Sequence, residues 1–323
     1  MTEIAKRTMH RKYFSALGWA LLIYLLIMNA WVVAFAVIDS VVLGFRQGAG
    51  EHFTTEQIDA ILMSNGWGYF ATIATGLIIL RIWKGKGFCY KTLWTRGRPM
   101  KFGSFMALLC IFISGQFMFQ ILAPIQEAIL NTFGLSALEA IESATMDYES
   151  LSMFLYAAIG APIMEEIIFR GVALRYLEPY GKSFAVVMSA FLFGIFHGNI
   201  VQIPYAFLVG LVLGYVAVEH NILWAMVLHM INNLVLGDLV SRLLPEMAAN
   251  AVLNMAILGC TLAALILLAV KRKDILGYCR TNSMKDADVW NFFTAPGILA
   301  LEVFILYTVA SPLVAQLAEN LGY

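Results

Sequence analysis

Charge is scarce in this chain. Lys and Arg number 21, Asp and Glu another 21, together 13% of 323 residues, and the formal net charge is zero. A soluble domain carries about 25% charged residues, so this composition excludes an ordinary water-exposed surface. A neutral balance also removes any overall basic attraction to nucleic acid, which is not an expected partner. The four cysteines, Cys89, Cys110, Cys260 and Cys279, form no C-x-x-C pair. They are read as reduced and structural, neither a disulfide frame nor zinc ligands. There is no H-E-x-x-H metalloprotease motif and no G-x-S-G serine motif. Gly237-Asp238 is only a fragment of the aspartyl intramembrane protease signature, because Val235 stands where a glycine is needed. No soluble domain, long linker, low-complexity tract or internal repeat is visible.

What is present is apolar. Hydrophobic residues make up 61% of the chain and the mean hydropathy is +0.78. Several runs reach the roughly 20 residues needed to cross a bilayer. The sequence predicts an all-α, polytopic transmembrane bundle of eight or nine helices, forming a single membrane domain over 1–323. Nine candidate spans lie near 14–40, 66–82, 103–123, 151–175, 184–200, 203–218, 222–240, 249–270 and 297–317. The sixth is short, and eight spans result if one is re-entrant or interfacial. The run Phe14–Ile38 follows Lys6, Arg7, Arg11 and Lys12, and Ala34-Phe35-Ala36 resembles a signal-peptidase site. That run far exceeds the roughly 7–15 residues of a signal h-region, so an uncleaved first span is expected.

Basic residues orient the bundle. Arg46 and Arg242 fall in odd-numbered loops and Arg170 within a span; the other 18 of the 21 Lys and Arg lie at the N-terminus or in even-numbered loops. The positive-inside rule then expects a cytosolic N-terminus and an outer C-terminus, in a bacterial cytoplasmic membrane. The outer loops are acidic and partly helical in expectation. Thr54 or Thr55 is an N-cap for a segment within His52–Ser64, and Pro124–Ser150 carries Glu127, Glu139, Glu142, Asp147 and Glu149.

The chemistry concentrates in 150–240, with 1–149 and 241–323 as flanking helices. A charge inside a bilayer costs a few kcal/mol or more, so intramembrane ionisable groups point to function. The fourth span contains Glu165-Glu166-Ile-Ile-Phe-Arg170. Glu166 and Arg170 stand at i and i+4 with the acid first, the favoured order for a helical ion pair. Glu165 points about 100° around the helix and lacks that partner, which suits it for a general base. Pro162, one turn earlier, is placed to kink the helix beside it. A purely structural clamp explains Glu166 and Arg170 but not Glu165.

The fifth span holds Phe193-Gly-Ile-Phe-His197-Gly198, with Gly194 and Gly198 as a small-residue face. A turn near Tyr180 makes a hairpin in which Glu165 and His197 reach similar depth. The seventh holds His229-Met-Ile-Asn232-Asn233. His229 and Asn233, one turn apart, can both donate to an oxyanion; alternatively they glue helices together. Gly210 and Gly214 in the sixth span read as a packing face. Asp39 and Glu302 have no evident partners.

E-E-x-x-x-R at 165–170, F-x-x-x-H at 193–197 and H-x-x-x-N at 229–233 together resemble the signature of the CPBP family. That family comprises the type II CAAX prenyl endopeptidases and the bacterial Abi and bacteriocin-processing membrane proteases. The resemblance covers roughly 150–240. It implies an intramembrane endopeptidase acting on a membrane-associated or lipidated peptide. Glu165 and His197 would activate water, His229 and Asn233 would hold the oxyanion, and Glu166, Arg170 and Phe193 would support the site. The family has been described both as zinc enzymes and as metal-free glutamate enzymes. Glu165, His197 and His229 could supply three zinc ligands, but Glu166 would then be the base despite its pairing with Arg170, so a metal-free site is expected. The competing readings are a non-enzymatic immunity or partner-binding protein on the same scaffold and a proton-coupled transporter. The site is expected between spans four, five and seven, at mid-depth or facing the cytosol. A prenylated substrate requires a prenylating host, and nothing in the sequence reveals one; the oligomeric state is likewise not encoded in these motifs.

Overall fold

The computed structural model describes residues 3–145, 150–282 and 286–322; Asp147, Glu149 and Lys285 lie outside them. Among the described residues it is helical and has no strand. In chain order the helices are α1 (Glu3–Gly48), α2 (Thr55–Met63), α3 (Trp67–Gly87), α4 (Phe102–Asn131) and α5 (Leu138–Thr145). Then follow α6 (Leu151–Tyr180), α7 (Lys182–Phe196), α8 (Gln202–Glu219), α9 (Ile222–Leu243), α10 (Glu246–Thr281), α11 (Asp286–Phe293) and α12 (Pro296–Asn320). Eight segments among the described residues are long and apolar enough to cross a membrane. The protein is an integral membrane protein.

The short member is α7, not the sixth span expected to be short. Its 15 residues extend about 22 Å at 1.5 Å per residue, less than a bilayer core of about 30 Å. Gly198, at φ +59°, stops it in the left-handed conformation that glycine adopts most easily. So Gly198 ends the helix, and a Cβ there would also press on Thr308 Oγ1 of α12. A Cβ at Gly194 would press on Ile203 O and Phe207 of α8. Gly210 and Gly214 give α8 the same close approach to Ala190, Phe193 and Val186. α7 and α8 thus form the tight hairpin at the centre of the bundle.

The two ends of the bundle differ chemically. At one end Glu219 meets Arg98 Nη2 at 2.7 Å, Lys182 Nζ at 2.8 Å and the Tyr278 hydroxyl at 3.0 Å. His10 pairs there with Asp288 at 2.9 Å. All the basic loops gather at this end. The opposite end is held by hydroxyls and amides: Ser150 Oγ donates to Ser64 O, Gln126 to Ile200 O, and Gln316 to Ser136 O. Thr54 caps α2 in a capping box with Gln57. Asp39 does have a partner, the Asn65 amide.

α1 and α12 cross where Gly18 lies against Gly297, and Gly297 N donates to Ser15 Oγ at 2.9 Å. A Cβ on Gly297 would collide with Ser15 backbone. Gly297→Val is expected to lower the thermal midpoint in detergent strongly, through overpacking worth about 1–3 kcal/mol or more. Gly259→Ala, where a Cβ meets nothing, is expected to leave that midpoint nearly unmoved.

Candidate active site

Four stretches of helix among the described residues are wound wide, with i→i+5 hydrogen bonding: Phe88–Thr92 after α3, and, around the candidate site, Tyr156–Gly160 and Ile167–Leu174 in α6 and Ile231–Leu239 in α9. Such turns carry an extra residue per turn and commonly mark functional sites. Pro162 sits between the two in α6, so the expected disturbance takes the form of widened turns on both sides of Glu165 and Glu166.

Glu166 and Arg170 form the expected pair, Arg170 Nη1 to Glu166 Oε1 at 3.0 Å, with both side chains 0% exposed. Arg170 Nη2 also donates to Gly210 O in α8 at 3.3 Å. Its guanidinium lies 4.2 Å from the centre of the Phe193 ring in α7, a cation–π contact. One buried arginine therefore ties α6, α7 and α8 together. Phe193 continues inward, its ring edge-to-face with His197 at 4.9 Å and with His229 at 5.7 Å.

His229 joins the two carboxylates. Its Nδ1 lies 3.0 Å from Glu166 Oε1 and its Nε2 lies 3.6 Å from Glu165 Oε2. Because an ionised carboxylate only accepts, the Nδ1 of His229 is the donor to Glu166. Glu165 is therefore not isolated, as its position on the helix suggested, but faces the other nitrogen of a histidine already anchored. Its side chain is 27% exposed against 0% for Glu166, so of the two carboxylates Glu165 is the one that lines the cavity.

His197 follows the last residue of α7. Its Nδ1 lies 2.8 Å from Phe193 O. A carbonyl oxygen cannot donate, so Nδ1 carries the hydrogen and Nε2 is left as an acceptor. Asn233 Nδ2 donates to Ala157 O in the first wide turn at 3.0 Å. Asn233 Oδ1 accepts from Asn232 Nδ2 at 3.0 Å. Asn232 Oδ1 in turn accepts from Gln116 Nε2 at 2.7 Å and the Tyr205 hydroxyl at 3.0 Å. This chain links α4, α8, α9 and α6.

Glu165, His197, His229 and Asn233 all line one cavity of about 360 Å³, with Phe193 on its wall. The three motifs thus converge on one space. Sequence reasoning missed Gln116 and Tyr205, and it passed over Gln120, Asn250 and Asn254, which line the same cavity. A signal for them exists: Gln116 and Gln120 in α4, and Asn250 and Asn254 in α10, are amide pairs one helical turn apart in apolar spans. Among the described residues no three His, Cys, Asp or Glu side chains are gathered closely enough to hold a metal ion. The candidate ligands Glu165, His197 and His229 share the cavity but do not form such a group.

The cavity lies near mid-length of α4, α6 and α9, at Phe112 to Gln120, Glu165 and His229 to Gly237. Glu166, Phe169, Arg170, Ser189 and Leu213 lie beneath it, each with 0% exposure. Exposed lining residues occur on the other side, at Gln120, Asn250 and Asn254. The site was expected at mid-depth or facing the cytosol, and Glu165 stands midway along α6, Leu151–Tyr180.

The family model described as type II CAAX prenyl endopeptidase Rce1-like matches residues 147–235, a little over a quarter of the chain and the stretch that holds all three motifs. This match supports the CPBP resemblance drawn from those motifs. No curated protein and no solved structure matches the chain.

Proposed function

We propose that this membrane protein is an intramembrane endopeptidase of the CAAX-protease type that activates water with Glu165. The observation that carries this reading is the position of His229, 3.0 Å from buried Glu166 and 3.6 Å from cavity-lining Glu165, on the wall of a cavity that His197 and Asn233 also line.

The roles follow from hydrogen-bond capacity. Glu166 is held by Arg170 and fixes the ring of His229. The Nε2 of His229 then faces Glu165, and one proton between them satisfies both atoms. His197 offers a bare Nε2. A water between Glu165 and His197 gives up a proton as its oxygen bonds to the carbonyl carbon of the scissile amide. Asn233 spends one amide hydrogen on Ala157 O and has a second for the carbonyl oxygen as it becomes negative; protonated His229 is the other donor. The C–N bond then breaks, and the proton taken from water passes to the leaving nitrogen. The products are a carboxylate and an amine.

What favours the metal-free version is that it keeps Glu166 paired with Arg170 and leaves Glu165 to act as the base. Purified full-length protein in lipid nanodiscs, given peptides from the membranes of its expression host, is expected to create new peptide termini at an unchanged rate after chelation. No new termini would end the peptidase reading. Loss of cleavage on chelation, restored by zinc, would end the metal-free version alone.

A further inference from the structure

We infer that Gln116 and Tyr205 are positioning residues: acting through Asn232, they aim the free amide hydrogen of Asn233 at the oxygen that becomes negative during cleavage. The inference rests on the peptidase reading and adds to it two residues that lie outside the three motifs.

The polarity of this row of side chains is fixed from one end. Ala157 O only accepts, so Asn233 must present its Nδ2 there, at 3.0 Å. That turns Asn233 Oδ1 toward Asn232, which answers with its own Nδ2 at 3.0 Å. Asn232 Oδ1 then faces α4 and α8 and needs donors. Gln116 Nε2 supplies one at 2.7 Å and the Tyr205 hydroxyl another at 3.0 Å. Gln116 Nε2 also donates to that hydroxyl at 2.8 Å, which leaves the tyrosine hydrogen for Asn232. Each asparagine in the row accepts at its oxygen and donates at its nitrogen. Hydrogen bonds chained in one direction polarise one another. The positive end of the row is the second Nδ2 hydrogen of Asn233, on the cavity wall.

An oxyanion donor works best when it is already aimed before charge develops. A half-turn of the Asn233 amide would face its oxygen to the cavity instead, where it repels that charge. The backbone gives little help against such a turn, because Asn232 and Asn233 stand in one wide turn and Ala157 in another. The side chains supply the constraint. Two donors converge on the single oxygen of Asn232, more than a contact between helices needs. The Tyr205 ring is itself held edge-to-face by Phe119, with centres 5.7 Å apart. Gln116, Phe119, Tyr205, Asn232 and Asn233 all line the cavity that holds Glu165, so the row runs along the wall of the site and ends in it.

The test uses full-length protein in lipid nanodiscs and a synthetic copy of one peptide that the wild type cleaves from the membranes of its expression host. Gln116→Met and Tyr205→Phe keep shape and remove the two donors. Together they are expected to lower kcat about 10²-fold, the cost of a misplaced catalytic group, with KM little changed. Tyr205→Phe alone, the milder change, is expected to lower kcat in the same sense. Asn233→Ala is expected to cost about 10²–10³, and adding both substitutions to it is expected to cost nothing more, since they act through that side chain. A full further loss in the Asn233→Ala background would overturn the inference and leave Gln116 and Tyr205 as interhelical glue. So would a double variant that turns over like the wild type. A second readout needs no turnover. In protein labelled at asparagine, the side-chain amide signal of Asn233, identified by its loss in Asn233→Ala, is expected to be single in the wild type and to broaden or split in the double variant. An unchanged signal would also overturn the inference. A protein that cleaves nothing yet shows the expected change counts against the peptidase reading and not against the aiming of Asn233.

Discussion

Glutamine in place of Glu165 stops peptide cleavage while the protein still folds and inserts. The substitution keeps the size of the side chain and its ability to bond His229 Nε2, and it leaves the Glu166–Arg170 pair untouched. What it removes is the basic oxygen. Loss of a positioned general base costs about 10²–10⁴ in rate, so single-turnover cleavage by purified Glu165→Gln is expected to fall by at least that range. Its thermal midpoint should stay close to wild type, because the side chain is already 27% exposed and its replacement strands no buried charge. The outcome separates the three functional readings. An immunity or partner-binding protein would retain protection with Glu165→Gln, since shape and surface are preserved. A transporter would show altered proton-coupled flux and no cleavage in either form. Cleavage persisting at the wild-type rate would remove Glu165 from the chemistry altogether.

Much of this site was legible in the sequence, and the parts that were not share a physical cause. Glu166 and Arg170 could be paired on paper because an i, i+4 separation fixes two side chains through one helix alone. His197 could be set level with Glu165 because a hairpin relates two depths through a single turn. By contrast, His229 between two carboxylates depends on the azimuth of α9 against α6. The widened turns at Ile167–Leu174 and Ile231–Leu239 alter that azimuth without any mark in apolar periodicity. Asn232 and Asn233, adjacent in sequence, both reach the cavity from within the second of these turns. Gln116 and Tyr205 escaped because they lie on spans that carry no motif, and their partner Asn232 is found only across helices. The length of α7 was misjudged at Gly198, where an apolar run continues in composition after the helix has ended. The eight crossing segments, by contrast, needed nothing but composition and length.

The second large effect falls on stability. Arg170→Met leaves Glu166, at 0% exposure, as a buried carboxylate whose only described charged neighbour is His229. Breaking a buried ion pair from one side costs about 3–5 kcal/mol, and here the arginine also holds Gly210 O and the face of Phe193. Arg170→Met is expected to give little folded protein and a strongly lowered thermal midpoint. Adding Glu166→Gln removes the stranded charge, and a buried pair replaced on both sides is often no less stable than the original. The double variant should therefore recover most of the midpoint. It should not recover cleavage, because a neutral glutamine holds His229 Nδ1 by an ordinary hydrogen bond instead of a charge-assisted one, roughly twice as strong. A midpoint restored together with full activity would mean that Glu166 and Arg170 only brace the helices. A midpoint as low as that of Arg170→Met would mean that packing around Phe193, and not the stranded charge, is what the arginine secures. Restored folding with lost turnover is the result that makes Glu166 a positioning residue, acting on the chemistry through the ring of His229.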